Sequence, residues 1–346
     1  MIKEAISSLV AGKDLTYEEA YFVMGEIMGG EATPAQIASF LTALRMKGET
    51  ADEIAGLASV MRAKATPVRI KGPAIDIVGT GGDSSGSFNI STAAAFVVAG
   101  AGLKVAKHGN RAMTSKCGSA DILEALGVKI DLSPEGVARC IEEVGIGFMF
   151  AQVFHPAMKY AAPVRREIGI RTVFNILGPL TNPAGVEHIL LGVPSEEVGK
   201  KIAAVLHRLG IKHALVVYGK DGLDEISISG KSVIWDVTKE RVGKPYEVTP
   251  KDFGLNKATM EEIKGGTPQE NAATLLCILD GEKGTPRDSV VMNAAAALIA
   301  GDVTTNLKQA VMLAEEAIDS GKAKKKLYAL IELSGSASKD ARDHTG

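Results

Sequence analysis

The first 66 residues repeat one local pattern, in which a threonine precedes an acid or amide by three positions and a helically spaced apolar run follows. Thr16-Tyr-Glu-Glu19, Thr33-Pro-Ala-Gln36 and Thr50-Ala-Asp-Glu53 each have this form, the capping box in which two side chains satisfy orphan amides reciprocally. Gly29-Gly30 and Gly48 fall where helix stops belong. Ile37, Phe40, Leu41 and Leu44 share one helical face. The pattern predicts three short helices over residues 1–66. Pro67 and Pro73 then bracket Val68–Gly72, a stretch that cannot continue a helix and is expected as an extended linker over residues 67–73. Beyond it the period changes. Short apolar runs at Ile75–Val78, Leu103–Ala106, Ile146–Phe150 and Ala214–Tyr218 alternate with longer helical patterns, which predicts βαβ units and a mainly parallel sheet in residues 74–346. In such sheets ligands gather beyond the carboxyl ends of the strands.

A chain of 346 residues exceeds what one hydrophobic core usually supports, so two packed units with a cleft between them are expected. Apolar residues make up 46% and charged residues 23%, a composition too apolar for disorder. Lys plus Arg (39) against Asp plus Glu (41) leaves a net charge of -2; no global field draws the chain to nucleic acid or an anionic membrane, and any polyanion needs a local site. The longest apolar stretch, Ala93–Leu103, falls short of the ~18 residues that cross a bilayer, and Met1-Ile-Lys-Glu4 does not read as a secretory leader. Cys117, Cys140 and Cys277 are odd in number and far apart, which fits a reducing cytoplasm.

Three loops and one longer segment carry candidate chemistry. Gly79-Thr-Gly-Gly-Asp-Ser-Ser-Gly-Ser-Phe-Asn-Ile-Ser-Thr92 leads from the first strand into a helical run. Its glycines and the helix start suit a phosphate, while a plain turn capped by Asn89 or Ser91 fits the same letters. Neither a Walker A loop nor a dinucleotide fingerprint is present. Lys107–Asp121 places three cations, several hydroxyls and two glycines in one loop, as an extended, multiply charged phosphate requires; a solvated basic loop is the alternative. Asp221-Gly-Leu-Asp224-Glu225 suggests Mg2+, which takes one or two carboxylates together with substrate phosphates, with Ser91 as a further hydroxyl ligand. Solvated turn carboxylates would look alike. The segment from Phe154 to Pro183 mixes aromatic and small residues with arginines, the makings of an apolar slot closed by a carboxylate clamp. The six histidines form no zinc motif, and no nucleophile elbow is present.

Taken together and in order, Gly79-Thr-Gly-Gly-Asp83, Asn89-Ile-Ser-Thr92, Lys107-His-Gly-Asn-Arg111, His155-Pro-Ala-Met158, Arg165-Arg-Glu, Phe174-Asn-Ile-Leu-Gly-Pro-Leu-Thr-Asn-Pro183 and Leu223-Asp-Glu225 closely resemble the anthranilate phosphoribosyltransferases of tryptophan biosynthesis. The resemblance spans nearly the whole chain. It implies a small N-terminal α-helical domain, completed by part of residues 163–190, plus a larger α/β domain of the nucleoside phosphorylase and phosphoribosyltransferase type, usually as a homodimer joined through the helical domains.

The same resemblance assigns phosphoribosyl pyrophosphate to Gly79, Gly82, Asp83, Ser87, Asn89, Ser91, Thr92, Lys107, Asn110, Arg111, Ser115 and Ser119. Mg2+ falls to Ser91, Asp224 and Glu225; anthranilate falls to Gly79, Asn110 and Arg165, with His108, Ala151 and His155 lining its path. This chain has Ser84 and Ser87 where the family more often has glycine and threonine. No residue is assigned as a general acid or base. A pyrimidine nucleoside phosphorylase of the same architecture, or a non-catalytic relative that binds nucleic acid, would be the alternatives; the acidic pair argues against the first and the net charge against the second.

Overall fold

The computed structural model describes residues 1–83, 85–112 and 116–343, with side chains through Ala337. The N-terminal unit holds four helices, α1 (Ile2–Val10), α2 (Tyr17–Gly29), α3 (Pro34–Lys47) and α4 (Ala51–Lys64). Thr16, Thr33 and Thr50 each make both halves of the capping box, and Gly30 and Gly48 close their helices at φ 77° and 89°. Helix α1 escapes the sequence pattern because its N-cap is Met1, which offers no side-chain acceptor. Ile37, Phe40, Leu41 and Leu44 are all buried.

The remainder runs β1 (Ile75–Gly79), α5 (Ile90–Gly100), β2 (Val105–Gly109), α6 (Ser119–Ala125), α7 (Pro134–Arg139), β3 (Ile146–Phe150), α8 (Ala151–Phe154), α9 (Ala162–Ile168) and α10 (Phe174–Leu177), then β4 (His188–Gly192), α11 (Glu196–Arg208) and β5 (His213–Gly219). It ends with β6 (Ser232–Thr238), β7 (Tyr246–Val248), α12 (Pro268–Leu279), α13 (Thr285–Ala300), α14 (Leu307–Asp319) and α15 (Lys322–Asp343). The sheet order is β3-β2-β1-β4-β5-β6-β7. The first five strands are parallel; β6 and β7 add an antiparallel edge.

Alternate side chains of each strand divide the interior into two cores. Leu190, Leu215 and Val217 pack with α5, α13 and α15 on one face. Ile189, Leu191, Ala214 and Val216 pack with α11 on the other. The helical unit shares that second core, to which Ala161, Val164, Phe174, Leu177 and Leu180 also contribute. The segment containing α9 and α10 therefore touches the helical unit and the sheet at once, and Arg62 fixes it further by donating Nε to the Leu180 carbonyl at 2.6 Å.

Candidate active site

Strand order reverses between β1 and β4, because β2 lies outside β1 while β5 lies outside β4. The loops at such a switch point diverge and leave a crevice. The two strands end in register at Gly79 and Gly192. A Cβ on Gly79 would overlap the Asp224 carboxylate, and one on Gly192 would overlap the Asp224 backbone oxygen. Two glycines thus let the 219–226 loop lie against the strand ends. Asp221, one of the clustered acids, serves the loop itself: its Oδ1 accepts from Leu223 N at 3.3 Å, and its Oδ2 accepts from the Ser227 and Ser229 hydroxyls. From α13, fully buried Asn293 accepts from Ile226 N at 2.9 Å and donates to the Ile226 carbonyl at 3.2 Å.

This scaffold presents Asp224 and Glu225 toward Asp83. Burial, then the Asp83 charge, pushes Asp224 up to about 7. Burial and the Asp224 charge raise Glu225 well above the ordinary carboxylate range. Lys107, 3% exposed, is the cation that opposes this crowding, drawn by Asp76 and Glu225 although burial lowers its pKa. Its Nζ donates to the Ile77 carbonyl at 2.5 Å and lies 3.4 Å from Ser91 Oγ. Asp76 anchors the floor beneath: it accepts from His108 N at 3.2 Å and from Asn182 Nδ2 at 2.7 Å. Burial raises its pKa to about 6 against the pull of Lys107.

The glycine loop crosses in front of these carboxylates, where Gly81 N donates to Asp224 Oδ2 at 2.8 Å. Gly82 lies beside it at φ 73°. Asp83 accepts from Ser85 Oγ at 2.5 Å, and that hydroxyl is 3.3 Å from Ser87 Oγ. Ser84 lies outside the described residues. Asn89 occupies the N-cap position of α5 without capping it. Instead its Nδ2 donates to the Cys117 carbonyl at 3.1 Å and its Oδ1 accepts from Asn271 at 2.9 Å. A turn capped by Asn89 is therefore corrected to a helix start without a side-chain cap. Thr80 Oγ1 and Thr92 Oγ1 are buried without a hydrogen-bond partner.

The basic loop is clasped by Asp121, whose Oδ2 accepts from Ala112 N at 2.9 Å and Gly118 N at 2.8 Å. Arg111 turns to the same helix, pairing with Asp121 at 3.0 Å and with Glu124 at 2.5 Å. Sequence spacing alone gives no sign of that pairing. Asn110 accepts from Arg111 N at 2.8 Å through its own side chain, and its carbonyl accepts from Ser119 Oγ at 3.3 Å. Ser115 lies outside the described residues.

A second wall comes from β2, β3 and the segment after it. His108 and His155 are 4% and 6% exposed, with ring centroids 5.0 Å apart. Burial lowers their pKa to about 3 and about 4, so both are neutral. His108 Nδ1 faces the Gly178 carbonyl at 3.2 Å; a carbonyl only accepts, so Nδ1 carries the hydrogen and Nε2 is a bare acceptor. Nε2 of each ring is buried without a partner. Ala151 opens α8 beside them. Arg165, on α9, stacks its guanidinium 5.0 Å from the Phe174 ring centroid, and burial lowers its pKa.

Comparison with known proteins assigns this arrangement to a family. A family model described as "Glycosyl transferase family, a/b domain" matches residues 71–324, and one described as "Glycosyl transferase family, helical bundle domain" matches residues 3–65. The chain is 60% identical over 337 residues to the anthranilate phosphoribosyltransferase of Dehalococcoides mccartyi strain 195, covering 97% of this chain and 99% of the relative. The chain belongs to the anthranilate phosphoribosyltransferase family. Identity to the Chloroflexus aggregans member is 58% over 334 residues, 96% of this chain and 98% of that one. The solved Thermus thermophilus anthranilate phosphoribosyltransferase superposes with a TM-score of 0.90 at 47% identity, covering 95% of this chain and 99% of its own. The Saccharomyces cerevisiae family member in complex with PRPP and Mg gives 0.89 at 30% identity, with 97% and 98% covered.

The donor set fits the Mg2+ of the anthranilate phosphoribosyltransferases. Burial and the Asp83 charge raise Asp224, and burial and the Asp224 charge raise Glu225, a crowding of buried carboxylates that a divalent cation relieves. Two adjacent carboxylates that leave positions for water and phosphate are the kind of donor set Mg2+ takes. Asp76 and Asn293 are site-building residues outside the sequence motifs, while Asn182 and Arg171 lie in the Phe154–Pro183 segment without an assigned role; each acts across 60 or more positions of chain. Among the described residues no helix is long and apolar enough to cross a membrane.

Proposed function

We propose that this chain transfers the 5-phosphoribosyl group from phosphoribosyl pyrophosphate to the amine of anthranilate, giving N-(5-phosphoribosyl)anthranilate and pyrophosphate. The observation that carries the reading is the convergence of the Gly79–Asp83 loop, the start of α5 and the Asp224–Glu225 pair at one switch point. The diphosphate rests on Gly79, Gly82, Asp83, Ser87, Asn89, Ser91, Thr92 and Lys107, with Asn110, Arg111, Ser115 and Ser119 from the neighbouring loop. Asp224, Glu225 and Ser91 hold Mg2+, which when bound offsets the charge that develops on the leaving diphosphate.

In the reaction the bond from ribose C1 to the pyrophosphate oxygen breaks and its electron pair leaves with pyrophosphate. The amine lone pair forms the new C1–N bond, and the amine then releases a proton to water or phosphate. Lys107, held between Asp76 and Glu225, faces the negative charge that accumulates. Arg165 clamps the anthranilate carboxylate, while Gly79, Asn110, Ala151 and neutral His108 and His155 shape its slot; the bare Nε2 of His108 can accept an amine hydrogen. Neither histidine stores a proton near neutral pH, so orientation and exclusion of water do the work.

A cytoplasmic homodimer is part of the same reading. Val10, Phe22 and Met46, on α1, α2 and α3, are 75%, 54% and 83% exposed, apolar side chains that a second copy would cover. Sedimentation at micromolar protein should give twice the chain mass, and a monomer would remove this element.

The activity is tested by mixing purified protein, both substrates and Mg2+. Anthranilate fluorescence should decay with one pyrophosphate released per anthranilate consumed. A folded protein that consumes neither substrate would refute it.

A further inference from the structure

One arginine bonded to neutral carbonyls joins the two halves of the site. Arg171 lies between α9 and α10. Its Nη1 donates to the Gly82 carbonyl at 3.1 Å and its Nη2 approaches the Gly81 carbonyl at 3.4 Å. A Cβ on Gly82 would overlap the guanidinium, so the contact depends on glycine there. On its other side the same dipeptide donates Gly81 N to Asp224 at 2.8 Å. On the arginine's side, Thr172 N donates to Asn175 Oδ1 at 2.9 Å and Asn175 N to the Thr172 carbonyl at 2.9 Å. That pair locks the turn opening α10, whose first residue, Phe174, lies against Arg165. An unbroken series of bonds therefore runs from the carboxylate pair, through the glycine loop and Arg171, to the Arg165–Phe174 stack.

We propose that Arg171 is a positioning residue that couples the donor subsite to the acceptor subsite, an inference that rests on the substrate placement given above. A diphosphate on the glycine loop draws on its N–H groups and fixes the peptide planes of Gly81 and Gly82. Their carbonyls then fix Arg171, and with it the turn that sets α10. Donor binding thus pre-sets the carboxylate clamp, and by thermodynamic reciprocity the acceptor tightens the donor. Arg171 itself touches neither substrate.

The test is calorimetric titration of anthranilate into wild type and Arg171→Met, with and without saturating Mg2+-pyrophosphate, which stands in for the donor and does not react. In wild type pyrophosphate should tighten anthranilate by about fivefold or more. In R171M that ratio should fall to about 1, with each ligand's separate affinity within about threefold of wild type. Arg171→Lys, which keeps a single cationic donor, should restore part of the ratio, and it carries the same comparison should R171M not fold. An equal ratio in wild type and R171M, or a ratio of about 1 in wild type, would overturn the proposal. So would a loss of pyrophosphate affinity above about tenfold with the ratio intact, because Arg171 would then be a phosphate ligand. Wild type that binds no Mg2+-pyrophosphate would contradict the donor site itself, a result separate from loss of coupling alone.

Discussion

Gly192, the last residue of β4, lies so close to Asp224 that a Cβ there would overlap the Asp224 backbone oxygen. The acidic loop can rest on the sheet only because that side chain is missing. Gly192→Ala should therefore push the 219–226 loop outward, lower kcat/KM by about 100-fold and raise the Mg2+ concentration needed for half-maximal rate. Steady-state kinetics over a Mg2+ series checks this; wild-type Mg2+ dependence would show that the loop tolerates the methyl group.

The pH dependence of the ligand-free protein follows from Asp224, whose folded pKa is raised to about 7 by burial and Asp83. For a carboxyl with a raised folded pKa, the associated stability is fully present below its unfolded value near about 4 and is lost as pH rises through about 7. Glu225 shifts in the same direction. The melting temperature without ligand should fall as pH rises from about 4 through about 7, and Mg2+-pyrophosphate should raise it more at the alkaline end of that range than at the acid end. A ligand-induced rise independent of pH would mean that protons and metal do not compete for these oxygens.

Much of the frame is legible locally. The capping boxes at Thr16, Thr33 and Thr50 act over three residues, so the sequence announces them. The four apolar runs read as strands lie within or overlap β1, β2, β3 and β5. Strand β4 escapes that reading: His188-Ile-Leu-Leu-Gly192 is buried throughout, but its unbroken apolar run is only three residues, too short to stand out in the sequence. The antiparallel edge of β6 and β7 escapes it as well. At the site, motif residues such as Lys107, Asp224 and Glu225 stand out by type, but the residues that hold them do not. Asn182 reaches Asp76 across 106 positions and Asn293 reaches Ile226 across 67; only the folded topology makes them neighbours.

Asp76 is the buried counter-charge beneath Lys107. Asp76→Asn keeps the shape, yet it leaves the buried ammonium with Glu225 as its remaining carboxylate partner. Removing one partner of a buried charge pair costs about 3 kcal/mol, so urea unfolding should show a loss of that order, and the donor KM should rise more than the anthranilate KM. Equal changes in both constants would place Asp76 in the scaffold rather than beneath the donor.

Arg165 should act on one substrate. Loss of its guanidinium from the Phe174 face in Arg165→Ala removes a charge-assisted carboxylate contact of about 2 kcal/mol, predicting an anthranilate KM about 30-fold higher with the donor KM little changed. Parallel increases in both would show that Arg165 is not the clamp.

Far from the site, His213 joins β5 to the turn after α13. It lies 3.2 Å from Asp236, in ion-pair range but without hydrogen-bond geometry, and bonds Asp302 at 2.7 Å. Asp236 and Asp302 raise its pKa above 6.5. Its contribution is fully present below about pH 6.5 and is lost as pH rises through the raised value. His213→Gln should lower stability by about 1 kcal/mol near pH 6 and by less near pH 9 in urea titrations; equal losses at both would mean that charge plays no part.

Calorimetric titration of phosphoribosyl pyrophosphate with Mg2+ into wild type and an Asp224→Asn, Glu225→Gln double variant tests the switch-point site directly. Wild type should bind with one site per chain, and the double variant should bind at least about tenfold more weakly and lose its response to Mg2+. Equal, Mg2+-independent binding by both proteins would contradict a diphosphate site built around this acidic pair.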